Sequence, residues 1–423
     1  MNKLTNVYSL NEWLAWQENC HVKKIDLGLQ RVSSVYKRLK TSTSKKPYTI
    51  TVAGTNGKGS CVAFLESILL AEGYRVGVYS TPHLLCYNER VRVNGEAVSD
   101  ASLTEAFSRI DKAREKVSLS YFEFGTLAAL TIFEKQDVDI QILEVGLGGR
   151  LDAVNIIDAN AALITSIDID HVAWLGNDRS VIAVEKAGVF RKNQKAICAD
   201  KTVPNSLPEF AAQLKTDLKL SGVDYKVEKD GDIWRLLIDH ELAGDFPIPS
   251  LKGEHQIQNA AGVVALLAHV SDDIPVQKTS VLDGLQNTFL PGRLQLVGTA
   301  PDIYLDVAHN RQSAVALAKF IKCKEYKGDI HAVFSILDDK DLSKVTEPFL
   351  EFVNFWYIAP LNIDRSEKIE CLSEFFNRHS KYQCSEHKSI ESAFAKTRQL
   401  AKKEDLVICF GSFYVVEACL EGL

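Results

Sequence analysis

The sequence predicts an α/β protein built as two domains, and three observations carry that prediction. Strand-like and helix-like segments alternate along most of the chain, the pattern of a mainly parallel sheet. Residues of unusual chemistry follow directly after strands, where ligands gather in such sheets. The rhythm then breaks at Leu290-Pro291-Gly292-Arg293 and restarts. A chain of 423 residues is too long for one ordinary core. We place the domains at residues 1–290 and 291–423.

The elements read in order as follows. Residues 48–53 are rich in β-branched side chains and predict a buried strand, followed by an apolar helical pattern through Val62, Leu65, Ile68 and Leu69 to Gly73. Further strands are expected at 75–79, 139–145 and 161–167, with helices at 102–116, 125–135 and 179–190. Residues 195–250 look less regular, although 225–228 and 233–239 are expected to pair around an Asp-Gly turn. A helix is expected at 255–269. Beyond the break, strands at 302–307, 330–336, 355–359 and 406–410, with helices at 313–321 and 389–402, predict a smaller Rossmann-like domain without a dinucleotide glycine fingerprint.

Composition narrows the class. Hydrophobic residues make up 46% and charged residues 25%, ordinary for a globular protein. A net charge of -6 gives no basic field for nucleic acid. The 9 cysteines are scattered and form no Cys-x-x-Cys pair, which suits reduced thiols. No signal-like start and no apolar run of ~18 residues is seen. A soluble cytoplasmic monomer is expected, with no membrane partner.

The strand at 48–53 ends in Gly54-Thr55-Asn56-Gly57-Lys58-Gly59-Ser60, just before a helix. Glycines let backbone N–H groups cup phosphate oxygens, and the helix start adds a favourable dipole. Lys58 can neutralise phosphate, and the Ser60 hydroxyl can ligate Mg²⁺. The string departs from a standard Walker A: Val52 and Gly59 stand where that pattern has Gly and a hydroxyl. A plain glycine-rich turn is the ordinary alternative.

Other strand ends carry Thr81, Glu144 and, in Ser166-Ile-Asp168-Ile-Asp170-His171, a histidine. Glu144 is followed by Gly146, Gly148 and Gly149, and hard oxygen donors suit Mg²⁺. Taken singly, Glu144 is as well explained as a strand-end carboxylate, His171 as a loop histidine, and Thr81 by turn chemistry before Pro82.

Taken together, these pieces resemble one family. The Ala-Gly-Thr-Asn-Gly-Lys-Gly-Ser string resembles the nucleotide loop of the Mur ligase superfamily, ATP-dependent amide-forming enzymes. Residues 144–152, Asp170-His171, Glu185-Lys186-Ala187-Gly188 and the Glu-Arg-Val-Arg stretch around Arg90 and Arg92 resemble the bifunctional dihydrofolate synthase/folylpolyglutamate synthases within it. The resemblance implies a Mur-ligase-like N-terminal P-loop ATPase domain and a Rossmann-like C-terminal domain that binds glutamate and closes over ATP. It implies that Ser60, Thr81, Glu144 and His171 surround one or two Mg²⁺ ions, and that Lys186 is carbamylated. Asn259, Arg293, Asp306 and His309 would meet ATP and L-glutamate, with His309 or Asp306 handling the amine. Leu337–Asp341 and Gly411-Ser412-Phe413 also match; the role of the first stays open, and the second is expected near glutamate.

For the acceptor, Leu27-Gly28-Leu29-Gln30 and Tyr121-Phe122-Glu123-Phe124 resemble the family's pterin-contacting segments, with Leu151, Asp152 and Ala153 completing the pocket. Aromatic faces can stack on a flat heterocycle, and a carboxylate can pair with a 2-amino pyrimidine edge. Buried packing explains the aromatics equally well on composition alone. The expected reaction joins L-glutamate to dihydropteroate and to reduced folates through an acyl-phosphate. A Mur-type ligase acting on a cell-wall nucleotide precursor, a P-loop regulatory NTPase and a non-catalytic binding protein are the alternatives.

Overall fold

The structure, a computed structural model, describes residues 8–23, 25–39, 46–324, 326–379 and 383–423. The chain forms two compact units: Met1–Ser250 with Gln258–Thr288, and Leu251–Ile257 with Phe289–Leu423.

In the first unit, β1 (Tyr48–Ala53), β2 (Val76–Tyr79), β3 (Val91–Val93), β4 (Glu96–Ala97), β5 (Ile140–Glu144), β6 (Ala161–Ile164), β7 (Lys195–Cys198) and β8 (Asp217–Leu220) make one sheet. Its order is β4-β3-β2-β5-β1-β6-β7-β8. All pairs from β2 to β8 are parallel, while β3 and β4 are antiparallel additions. The central strands are covered on both faces, which is why they read as unbroken apolar runs. Register brings Val52 opposite Glu144, Ala53 opposite Ile164 and Tyr79 opposite Leu143. The carboxyl ends of β1, β2, β5 and β6 therefore come level along one edge.

The helix Lys58–Ala71 follows β1 and is buried nearly all round, as a helix apolar on every side should be. Helix Lys278–Asn287 packs on it so closely that a Cβ at Gly284 would lie 2.6 Å from the Ile68 Cα. Ser67 donates to the Gly284 carbonyl at 3.0 Å.

Several expectations need correction. The strand expected to reach 167 stops at Ile164, because Thr165 and Ser166 turn their hydroxyls onto the Asn56 carbonyl. The segment 195–250 is regular: it supplies β7, helix Ser206–Leu214 and β8, then a separate antiparallel sheet. That sheet holds β9 (Tyr225–Asp230), β10 (Ile233–Ile238) and β11 (Glu241–Pro247) in the order β11-β10-β9. The β9–β10 hairpin turns at Gly231-Asp232 as the Asp-Gly signal predicts. Strand β11 was hidden because it has no apolar run: Gly244 and Asp245 interrupt it and most of its side chains are exposed. The helix expected from Gly125 begins at Tyr121, so the aromatic segment Tyr121–Phe124 is its first turn.

The second unit is a six-stranded sheet of β12 (Gln295–Gly298), β13 (Asp302–Leu305), β14 (Ile330–Phe334), β15 (Phe355–Ile358), β16 (Gln383–Glu386) and β17 (Leu406–Phe410). Its order is β12-β13-β17-β14-β15-β16, parallel except for β12. Phe334, Trp356, Phe376 and Phe410 interlock in its core. The protein is thus α/β, with a mainly parallel sheet in the first unit and a second, mixed sheet in the other.

Candidate functional site

The phosphate-type loop leaves β1 and enters the helix at Lys58 with Gly57 as N-cap. Gly57 takes φ +86, a conformation that favours glycine, and a Cβ there would come 2.5 Å from the Asn259 Oδ1. Asn259 is thereby set against the loop. The N-cap is a glycine and brings no side chain of its own to the helix start, where N–H groups and the helix dipole favour an anion. Lys58 donates to the Gly54 and Thr55 carbonyls at 3.0 and 3.1 Å. Ser60 is 2% exposed in the first turn.

The loop is braced from β6. The Thr55 N–H donates to the Ser166 carbonyl at 2.7 Å, and the Asp168 N–H donates to the Thr55 hydroxyl at 3.0 Å. The Asn56 N–H donates to the Ser166 hydroxyl at 2.9 Å. Bracing by Ser166 and Asp168 was not anticipated, although both stand in the stretch singled out for His171. His171 itself is exposed, in a left-handed conformation at φ +51, with its N–H on Asp170.

Glu144 ends β5 and is 3% exposed. Its Oε2 accepts the Thr81 N–H at 3.2 Å, so these two expected metal donors meet. The Thr81 hydroxyl accepts from Arg90 Nη1 at 3.1 Å. Among the described residues, no three His, Cys, Asp or Glu side chains form a metal cluster. Ser60, Thr81 and Glu144 are hard oxygen donors, and Mg²⁺ takes few protein ligands, filling its octahedron with phosphate and water. The donor chemistry fits that ion.

The second glycine-rich loop, Gly146–Arg150, is organised differently. Asp152, 2% exposed, accepts the Gly146 and Leu147 N–H groups on Oδ2 and the Val154 N–H on Oδ1. Burial raises its pKa to about 6, with the three N–H bonds and Lys58 opposing. A Cβ at Gly149 would sit 2.8 Å from the Lys186 carbonyl oxygen, and one at Gly188 would sit 2.3 Å from the Arg150 Cβ. The Arg150 N–H donates to the Glu185 carbonyl, and its Nε reaches the Glu185 carboxylate, both at 2.9 Å. The Gly-Gly-Arg and Glu-Lys-Ala-Gly motifs are therefore two sides of one contact. It holds Lys186 at 3% exposure. Burial, then the nearby charge of Lys58, lowers the Lys186 pKa to about 7, against the pull of Asp170 and Glu185.

The segments expected around a pterin are drawn together. The Gly28 N–H donates to the Leu151 carbonyl at 3.2 Å, and Arg31 meets Glu123 at 3.2 Å. The Phe122 ring lies over Gly146 and 5.7 Å from Tyr79, while Tyr121 packs edge-on to Tyr87. Leu27, Gly28, Leu29 and Leu151 are partly exposed, Gln30 exposed and Ala153 buried. Two expectations are not met. Glu123 is 3% exposed and accepts the Ser120 N–H in a capping box, so it is not turned to a ligand's edge. The Phe124 ring is fully buried against Trp16 and Phe107, because it falls on the core face of its helix.

In the second unit, Asp306 accepts the Leu294 and Ala308 N–H groups, each at 2.8 Å. Burial raises its pKa against the charge of Arg293. His309 Nδ1 lies 2.8 Å from the Val307 carbonyl, which assigns the neutral ring's proton to Nδ1. The Phe413 ring joins these groups: the Arg293 guanidinium stands 5.2 Å from it and His309 6.2 Å. Gly411 has φ +111, and a Cβ there would collide with the Ser335 carbonyl oxygen. Within Leu337–Asp341, Asp339 pairs with Arg365, and Asp341 caps helix Leu342–Thr346.

Residues 52–267 match the Mur ligase middle domain, and residues 292–413 match the Mur ligase glutamate ligase domain. With an anion-ready loop and acidic strand ends, these matches define an ATP-dependent ligase of the Mur type. Over 412 residues the chain is 40% identical to the dihydrofolate synthase/folylpolyglutamate synthase of Escherichia coli (strain K12), covering 97% of this chain and 95% of that one. The structure of E. coli FolC in complex with DHPP and ADP matches at a TM-score of 0.92 and 40% identity, over 98% of this chain and 97% of that one. A bifunctional folylpolyglutamate synthase/dihydrofolate synthase with Mn, AMPPNP and L-glutamate bound matches at 0.90 and 38% identity, over 99% of each chain. The chain belongs to the dihydrofolate synthase/folylpolyglutamate synthase family. No helix among the described residues is long and apolar enough to cross a membrane.

Proposed function

We propose that this enzyme adds L-glutamate to dihydropteroate, forming dihydrofolate, and to the γ-carboxylate of tetrahydrofolate and its polyglutamates. The observation that carries the reading is the glycine-led helix start at Lys58, which follows β1, with Glu144 and Thr81 meeting at the same sheet edge. ATP lies on Thr55–Ser60 with Asn259 against the loop. The acceptor carboxylate attacks the γ-phosphorus, giving an acyl-phosphate and ADP. The amine of glutamate then displaces phosphate, giving the amide. Lys58 offsets charge that develops on the transferring phosphoryl group. Ser60, Thr81, Glu144 and His171 would hold Mg²⁺, which would supply further charge neutralisation.

Lys186 carries a carbamate in this reading. CO₂ reacts with the neutral amine, and a pKa of about 7 leaves much of Lys186 neutral at physiological pH. Leu27–Gln30, Tyr121, Phe122 and Leu151 line the pterin pocket, with Glu123, Phe124, Asp152 and Ala153 shaping it from behind. The Val307 carbonyl holds the His309 ring, and His309 or Asp306 handles the amine proton. The enzyme works as a cytoplasmic monomer.

The test is glutamate-dependent ADP release with dihydropteroate, tetrahydrofolate or a cell-wall nucleotide precursor as acceptor. The first two should support turnover. Lys58→Ala should lower kcat/KM about 1,000-fold, on the scale of losing a transition-state charge partner. Turnover with the cell-wall precursor alone would overturn the acceptor assignment.

A further inference from the structure

The Glu-Arg-Val-Arg stretch contains two arginines whose surroundings differ. Arg92 is fully compensated: its Nε and Nη2 reach the Glu66 carboxylate at 3.1 and 2.7 Å. Its Nη1 donates to the Ser80 hydroxyl and the Glu89 carbonyl, each at 3.0 Å. Arg90, two residues earlier, has only neutral hydrogen-bond partners. Its Nε donates to His83 Nδ1 at 2.7 Å and its Nη1 to the Thr81 hydroxyl at 3.1 Å. Its guanidinium stands 5.4 Å from the Tyr87 ring centroid and 5.6 Å from that of Tyr121. Among the described residues it makes no ion pair.

Arg90 is thus held in place from four sides without an anion. A guanidinium has five N–H donors, and only two are used here. A partly buried cation of this kind is stabilised by an incoming anion far more than an exposed one is. The position says which anion. On one side Arg90 holds Thr81, whose N–H bonds Glu144, beside the expected phosphate edge. On the other it lies against Tyr121, the first residue of the segment that lines the expected pterin pocket. An acceptor with its heterocycle in that pocket and its carboxylate directed at the phosphate must pass this point. The phosphates themselves have Lys58 and the glycine-led helix start.

We infer that Arg90 binds the carboxylate of the acceptor and aligns it for phosphorylation. This rests on the acceptor reading above. It adds a specificity role: Arg90 selects acceptors that present an anionic carboxylate at this point while the heterocycle is held in the pocket.

The experiment compares the full-length wild type with R90Q and R90K. Binding is measured for AMPPNP, for dihydropteroate and for the same dihydropterin carrying an anilinomethyl group without the carboxylate. ADP release gives kcat and KM, and thermal melting checks the fold. R90Q should raise the KM and Kd for dihydropteroate about 10- to 100-fold, the scale of a lost hydrogen-bonded charge partner. Its affinities for AMPPNP and for the carboxylate-free analogue should stay within about twofold, since neither ligand meets the Arg90 charge. R90K, which keeps the charge and loses the fork, should fall between.

Equal weakening of both pterins would mean that Arg90 only supports Thr81 and the tyrosines, and would overturn the assignment. So would a loss confined to AMPPNP, which would place a phosphate there. If R90Q does not fold, the ratio of the two pterin affinities in R90K decides the matter; an unchanged ratio refutes the role. A wild type that binds neither pterin fails at the acceptor reading itself, and the Arg90 role falls with it. An active wild type matched by R90Q overturns Arg90 alone.

Discussion

Two glycine-rich loops leave neighbouring strands of the same sheet, and they use their glycines for opposite ends. In Gly54–Ser60 the glycines bring the backbone against Asn259 and Thr165 and start a helix on Gly57, which brings no capping side chain of its own. In Gly146–Arg150 the N–H groups are turned inward, onto Asp152, and the missing side chains admit the backbone of Glu185 and Lys186. The first loop is built to receive an anion. The second is built to fasten a lysine. Glycine content alone does not separate binding from packing; what lies against each loop, a helix start in one and the Glu185–Lys186 backbone in the other, is the distinguishing observation.

Substitution at one glycine in each loop should break the comparison cleanly if it is wrong. Gly149→Ala has the larger expected effect. Its Cβ would meet the Lys186 and Glu185 carbonyl oxygens at 2.8 and 2.9 Å, and neither backbone segment can move freely. Urea unfolding should show a loss of about 3 kcal/mol. Next comes Asp152→Asn, which removes one of the two acceptor oxygens that hold the loop's N–H groups. A loss of about 2 kcal/mol is expected from leaving buried donors unpaired. Gly57→Ala should behave differently. Its φ of +86 and the nearby Asn259 Oδ1 strain the loop, and the deficit should appear as about tenfold weaker AMPPNP binding with a smaller change in melting temperature. Equal stability losses at Gly57 and Gly149, with nucleotide affinity intact, would dissolve the distinction.

Much of this was legible in the sequence, for physical reasons that also mark where legibility ended. The central strands are buried on both faces, so β1 and β17 were bounded correctly from their apolar runs. Edge strands such as β11 and β16 expose most of their side chains and carried no such signal. The phosphate loop announced itself because strand, glycines, lysine and helix are contiguous. The contact between Gly149 and Lys186 was invisible because it joins residues far apart in sequence through a backbone clash that no composition rule records. Glu123 was misread although Ser120-x-x-Glu123 spells a capping box, because the resemblance drew attention to its carboxylate and away from its helix. Phe124 shows the same bias: an aromatic beside a binding segment was read as a wall when its place on the helix made it core.

The smallest effect expected is a pH slope, and it tests what the second loop accomplishes. Lys186 is buried and titrates near 7 in the folded protein, whereas an unfolded lysine titrates near 10.4. Between those values the unfolded chain binds more protons, so stability rises with pH across this window, by about 1 kcal/mol per pH unit from this one group. Below 7 both states are protonated, and the cost of burying the cation is constant. Lys186→Met has nothing to titrate and should lack the slope. Urea unfolding of both proteins at pH 7, 8 and 9, in CO₂-depleted buffer, makes the comparison. Restoring bicarbonate should then stabilise only the wild type, since a carbamate forms on the neutral amine. Parallel pH profiles for the two proteins would mean that Lys186 keeps an ordinary lysine's proton, and that the tight fit around Gly149 serves packing alone.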